Sequence, residues 1–351
     1  MKYLMLGALF VTWALGNSFW TIDEFLQINP QEKFRMQTFD RIVQSDAVAL
    51  KQKREKIKIS MLYPGNQLTD YWTRSQKSFE ARLKELNIPY EIKPIFVDEN
   101  DVKKLQLKLK ELLDSKSDYL IFTLNIDGHK KLISQIITNK KPKIILQNIT
   151  TPLKEWGNNQ PFMYVGFDHI EGTKLLVQYY KKKFPNGAKY LMLYHNEGYV
   201  SQVRGDSFIN MMGAQYDLKG SYYTYVKKDL AKKIVLNFQS IKDTDFIYNC
   251  STDIAIGASE AVKALQLENK ILLNGWGGGS TELAMIENHD LNVTVMRMND
   301  DNGVAMAEAI KLDLLQKKVP LIYSGKFELV DDNFSAQSIE LLKKQAFRYS
   351  K

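Results

Sequence analysis

The sequence predicts an α/β protein of two lobes, each a parallel sheet flanked by helices, facing one another across a cleft. Three observations carry this reading. Apolar strand-like runs alternate with helical stretches, the alternation occurs in two successive series, and the runs end in turns rich in Asn, Gln, Asp, Arg and Trp. A chain of 351 residues, 44% hydrophobic and 25% charged, is long enough to give each series its own core.

Taken in order, residues 17–55 contain DEFLQINPQEKFRMQTFDRIV and read as short helical pieces without room for a core, an N-terminal extension rather than a domain. From Lys56 the first series runs through strand IKISMLY (57–63), a helix over 69–86, strand YEIKPIFV (90–97), a helix over 102–113, strand YLIFTL (119–124), a helix over 128–138 and strand KIILQNI (143–149). The second begins after MYVGFD (163–168). It continues as a helix over EGTKLLVQYYKKKF, strand YLMLYH (190–195), a helix after Arg204, strand SYYTYV (221–226), a helix to Phe238, strand DFIYNC, a helix over 254–265 and strand ILLNGW (271–276). The N-terminal lobe is then 56–167 plus 298–320, the C-terminal lobe 168–297 plus 321–333, with a C-terminal helix over 334–351.

The first 16 residues, MKYLMLGALFVTWALG, carry one Lys, an apolar run and small residues at Ala14 and Gly16, the pattern of a secretory signal peptide cleaved near Gly16. The run is shorter than the roughly 20 residues of a membrane span. The chain is thus expected to be exported, yet Cys250 is its only cysteine, which excludes an intramolecular disulfide and leaves a small buried hydrophobe. Losing Lys2 with the signal takes the formal charge from +8 to +7, spread over short groups such as KKK at 181–183. No basic stripe interleaved with aromatics points to nucleic acid.

In open α/β sheets ligands collect at the carboxyl ends of the strands. Those turns here are PGNQLTDYW, QNITTP, VGFDHIEG, HNEGYVSQVRGD, CSTD, GWGGGS and MRMNDD. They combine hydrogen-bonding groups with flat aromatic faces, which suits a carbohydrate-like ligand. Metal chemistry finds no support, because His129, His169, His195 and His289 lack HExxH spacing and no CxxC exists. There is no G-x-S-x-G elbow, and the glycines of GWGGGS lack the spacing and Lys of a phosphate loop. No nucleophile stands with a base, so an enzyme is disfavoured. A transcriptional regulator fails because a signal peptide stands where a helix-turn-helix would be.

Arg204 and Arg297 each sit just past an apolar strand, either pairing with neighbours such as Asp206 or Asp300 or aiming two guanidinium groups into the cleft to favour an anion. Trp72 and Trp276 follow strand ends and are open to core packing or ligand stacking. Asp253, after Thr252, either accepts from ligand hydroxyls or caps the helix beginning at Ile254. The residues alone reach a binder of a small polyhydroxylated solute, with a neutral-sugar receptor serving a transporter or chemoreceptor as the alternative.

The runs SDYLIFTL, KIILQNITTP, YVGFDHIEG, VRGD, CSTD, NGWGGGS, TVMRMNDD, GVAMAEAIK and KKQAFRYS together resemble the LuxP family of periplasmic autoinducer-2 receptors, within the ribose-binding and LacI-like type I periplasmic binding proteins. The resemblance spans nearly the whole chain after the signal. It implies two Rossmann-like lobes hinge-linked around a cleft that closes on autoinducer-2 as a furanosyl borate diester. It also implies a periplasmic location, no cofactor, and a signal passed to the periplasmic domain of a LuxQ-type sensor histidine kinase. Ligand contacts would fall at Gln67, Thr69, Trp72, Asn148, Arg204, Thr252, Asp253, Trp276 and Arg297. The arginines would balance the borate, the amides and Thr hydroxyls would hold the sugar oxygens, and Asp253 would accept from ring hydroxyls. Thr69 stands where the family has Ser and His195 where it has Phe, the latter altering how dry the cleft is.

Overall fold

A computed structural model describes residues 18–123, 127–138 and 141–351. The expected signal peptide over 1–16 lies outside the described residues. Helices α1 (Ile22–Ile28) and α2 (Pro30–Gln44) form the extension. The first opens on a capping box in which Thr21 and Glu24 satisfy each other's backbone N–H groups. Having no core of their own, these helices and the segment after them lend side chains to the first lobe, where Phe39 and Val43 of α2 and Leu50 beyond it are buried.

The first lobe contains β1 (Ile57–Pro64), α3 (Tyr71–Glu85), β2 (Tyr90–Val97), α4 (Val102–Asp114), β3 (Tyr119–Thr123), α5 (Asp127–Thr138), β4 (Lys143–Gln147) and β5 (Met163–Phe167). The chain crosses to the second lobe for α6 (His169–Lys183), β6 (Ala188–Tyr194), α7 (Tyr199–Ser201), α8 (Ser207–Met212), β7 (Tyr216–Tyr223), α9 (Lys228–Asn237), β8 (Phe246–Asn249), α10 (Thr252–Ala264), β9 (Leu272–Leu273), α11 (Ser280–Glu287) and β10 (Val293–Arg297). It returns for α12 (Asp300–Leu314) and β11 (Ile322–Gly325), then crosses again to β12 (Phe327–Asp331) and α13 (Ala336–Ala346).

The first sheet is parallel, in the order β11-β5-β4-β3-β1-β2. The second runs β7-β6-β8-β9, also parallel, and bridges at Asn274–Val293 and Gly277–Met296 extend it to β10, which pairs antiparallel with β12. Helices cover both faces, so strands such as β3 and β5 are buried along their whole length and read as unbroken apolar runs. In α4, Leu105, Leu109 and Leu112 share one buried face at helical spacing.

Helix α12 lies tightly on α3, because a Cβ at Gly303 would stand 2.0 Å from the Ser78 hydroxyl. A buried ion pair between Arg82 and Glu308, 2.7 Å apart, fixes their register.

Two boundaries differ from the sequence reading. Residues 321–325 belong to the first lobe, not the second, because β11 pairs with β5. LIYSGKFELV alternates apolar and polar residues like one continuous strand, with only Gly325 and Lys326 at the crossing itself, so the crossing leaves almost no signature. The C-terminal helix ends at Ala346, and the tail returns to the first lobe, where Tyr349 and Ser350 donate their backbone N–H groups to Asp300 at 2.7 and 2.8 Å.

Candidate functional site

The carboxyl ends of the strands meet between the lobes, and all nine residues singled out from the sequence line one cavity there, joined by Tyr71, His195, Val200 and Ser251. Its volume is about 30 Å³. That is room for about one water, so a sugar-sized guest can enter only when the lobes part.

Each side chain is placed by its turn. The Trp72 indole donates to the Gln67 side-chain oxygen at 2.9 Å and packs on Tyr63 and Tyr71. The Thr69 hydroxyl accepts from the N–H of Tyr71 at 3.3 Å. Asn148 adopts a left-handed φ of 67°, a conformation Asn tolerates. Neighbouring Gly166 permits this bend, since a Cβ there would lie 2.9 Å from the Ile149 nitrogen.

Arg204 comes from a π-helical turn over 202–206 and is 4% exposed. Its guanidinium lies 3.7 Å over the Trp276 ring and donates to the Cys250 carbonyl at 2.8 Å. Arg297 ends β10, is 5% exposed and stands 4.1 Å over Tyr71. Its Nη1 donates to Asn148 Oδ1 at 3.5 Å. His169 Nε2 lies 3.3 Å from the same Oδ1 and 3.5 Å from Arg204 Nη2, so the two guanidinium groups are linked through one amide and one imidazole.

Among the described residues neither Arg204 nor Arg297 has a carboxylate within 4.0 Å. The suggested partners are engaged elsewhere: Asp206 accepts from Tyr194 and Asp300 holds the C-terminal tail. Burial first, then the charge of Arg297, presses the Arg204 guanidinium down to about 9, and burial lowers that of Arg297. Buried charges of this kind cost several kcal/mol each unless an opposite charge joins them.

The glycine-rich turn serves Arg297 directly. Gly277 and Gly278 have φ of 134° and 62°, and a Cβ at Gly277 would stand 2.3 Å from Arg297 Nη2. The glycines of this turn thus make room for this arginine and for Met296. Glu282, fully buried, accepts from Trp276 N, Gly278 N and the Thr294 hydroxyl and so locks the turn.

Asp253 does not cap α10, whose N-cap is Ser251. It reaches across the cleft to accept from the Leu68 N–H at 2.9 Å, and burial pushes its carboxyl up to about 6. Other bonds also span the lobes: Asn196 donates to Glu99 at 3.1 Å, and Arg74 and Asp70 meet Ser280 at 2.8 and 2.9 Å. His195 is held neutral by burial, its pKa about 3, so its 3.8 Å approach to Glu99 is no ion pair. Ser251 was not singled out from the sequence, although it shares the CSTD turn; its buried hydroxyl has no partner among the described residues. Tyr71 was absorbed into the helix signal that begins beside it.

A family model described as the periplasmic binding protein domain matches residues 59–318. Solved structures share the fold at low identity. The glucose-galactose binding protein GanP from Geobacillus stearothermophilus aligns with TM-score 0.71 and 17% identity over 81% of this chain and all of its own length. A solute-binding protein of an ABC transporter from Agrobacterium vitis, with bound D-fucose, gives 0.72 and 14% over 81% of this chain and 98% of that one. The fructose-binding periplasmic domain of a hybrid two-component system gives 0.71 and 15%, over 84% and 95%.

Proposed function

Because the chain belongs to the periplasmic binding protein family, we propose that it is a periplasmic receptor that binds autoinducer-2, as its furanosyl borate diester, and does not catalyse a reaction. The observation that carries this reading is the pair Arg204 and Arg297, both buried in the same cleft without a carboxylate partner among the described residues. A neutral sugar leaves both charges uncompensated, whereas a borate brings one negative charge between them. Asn148, Thr252 and Thr69 offer hydrogen bonds to sugar oxygens, Asp253 accepts from a ring hydroxyl, and Trp72 and Trp276 supply flat faces.

Ligand entry requires open lobes, and the bonds from Asp253, Asn196 and Arg74 across the cleft form only when they close. A guest that contacts both lobes shifts the population toward closure, which a LuxQ-type sensor kinase then reads. One neighbour of this fold is the fructose-binding periplasmic domain of a hybrid two-component system, which supports that role. Neighbours with bound allose, inositol or fucose keep a neutral-sugar receptor as the alternative.

The test is to purify the protein from cells that make autoinducer-2, denature it, and assay the supernatant for boron and for signalling activity. Stoichiometric boron supports the reading. Release of a neutral sugar without boron replaces it with the alternative.

A further inference from the structure

A groove of about 800 Å³ that shares no lining residue with the cleft cavity lies on the first lobe, where α2, the segment over 46–54 and the end of α12 meet. Two helices each turn one face toward it. Thr38, Arg41, Ile42 and Ser45 line it from α2 and the turn that ends it, and Glu308, Lys311, Leu312 and Leu315 line it from α12 and its C-cap. Both sets follow the i, i+3, i+4, i+7 spacing of one helical stripe. Val48 stands open on the third side, 71% exposed, and Leu315 is 37% exposed. Leu50, tied by its N–H to the Leu86 carbonyl, anchors the segment beneath them.

The rim is basic. Arg41, Lys51, Arg54 and Lys317 line the groove and have no carboxylate partner within 4.0 Å among the described residues. The only acidic lining groups are Asp46 and Glu308, and Glu308 is already shared by Arg82 and Lys311. Two helix faces side by side, carrying Ile42, Leu312 and Leu315 with Val48 beside them, leave a trough that a third helix would fill, and unpaired cations along it select acidic flanks.

We propose that this groove docks an acidic amphipathic helix of a partner protein, its apolar stripe on Ile42, Val48, Leu312 and Leu315 and its carboxylates on Arg41, Lys51 and Lys317. The site does not depend on what the cleft binds. Because α12 begins three residues after Arg297, the docked partner would sit on the helix that leaves the cleft.

The probe is a labelled helical peptide of about 15 residues with Leu at i, i+3, i+4 and i+7 and Glu on the flanks, compared by fluorescence anisotropy with a twin carrying Lys for Glu. The expected result is binding of the acidic peptide about tenfold or more tighter than the twin, weakened by salt and lost in Val48→Asp/Leu315→Asp, whose sites are exposed enough to leave the fold intact. No binding of the acidic peptide, equal binding of the twin, or binding unchanged in the double variant overturns the proposal. So does binding of phosphatidylglycerol vesicles by a protein that ignores the acidic peptide.

Discussion

Arg297 lies so close to the backbone of Gly277 that any side chain at 277 would occupy the space of its guanidinium. The glycine, left-handed and bridged to Met296, is thus part of the machinery that aims the cation into the cleft. Fold and site meet at this contact, because β10 ends at Arg297 and its neighbour in the sheet ends in the glycine turn.

Gly277→Ala is expected to displace Arg297 and weaken binding of the borate diester by about tenfold or more, the scale of one charge-assisted contact. Circular dichroism and thermal melting of the variant should show a folded protein destabilised by about 1–3 kcal/mol, from the strained φ. Gly279→Ala is a weaker control, since its neighbour is the Asp70 carboxylate rather than the arginine.

Arg297→Met removes a buried charge that has no carboxylate partner among the described residues. The ligand-free variant is expected to melt at or above the temperature of the parent, because a buried uncompensated ion is replaced by an apolar group of similar length. The same variant should lose the ligand-dependent rise in melting temperature. A variant that melts well below the parent would mean that Arg297 is held by a partner that stabilises the fold.

The strand-end turns were legible because a parallel sheet with both faces covered leaves polar residues nowhere else to gather. Nine residues from six turns of sequence come together around one cavity for that reason. Ser251 and Tyr71 escaped notice because each sits where a helix begins, and a helix-start signal masks a cavity-facing side chain. The third crossing was illegible for the opposite reason: Gly325 and Lys326 interrupt an alternating run too briefly to separate β11 from β12. The strand expected over 271–276 shrinks to Leu272–Leu273 because Asn274 spends its side chain on Tyr180 and Asn249, and glycines follow.

Asp253 carries the pH dependence. Burial raises its carboxyl to about 6, so ionisation costs the folded state: ligand-free stability is fullest below the ordinary carboxylate value of about 3.9 and declines as pH rises toward 6. Under the proposed reading binding runs the other way, since the carboxylate would be the acceptor. Affinity is expected to be flat above about pH 7 and to fall by about tenfold per unit below 6. Asp253→Asn should flatten that acid limb in a titration series; an unchanged limb would assign it to another group.

Arg74 joins Asp70, Ser280 and Ser350, and so ties α3 to the second lobe and to the C-terminal tail. Arg74→Ala is expected to loosen closure without touching the cavity. Small-angle scattering should show a larger radius for the ligand-free variant, with affinity reduced about three- to tenfold through the lost closed population.

The most direct measurement is calorimetric titration of the released ligand in buffer with and without borate. A dissociation constant about a hundredfold lower with borate is expected if one negative guest compensates Arg204 and Arg297 together. Equal constants in the two buffers would contradict it, because the cleft would then be indifferent to the charge its two guanidinium groups are placed to meet.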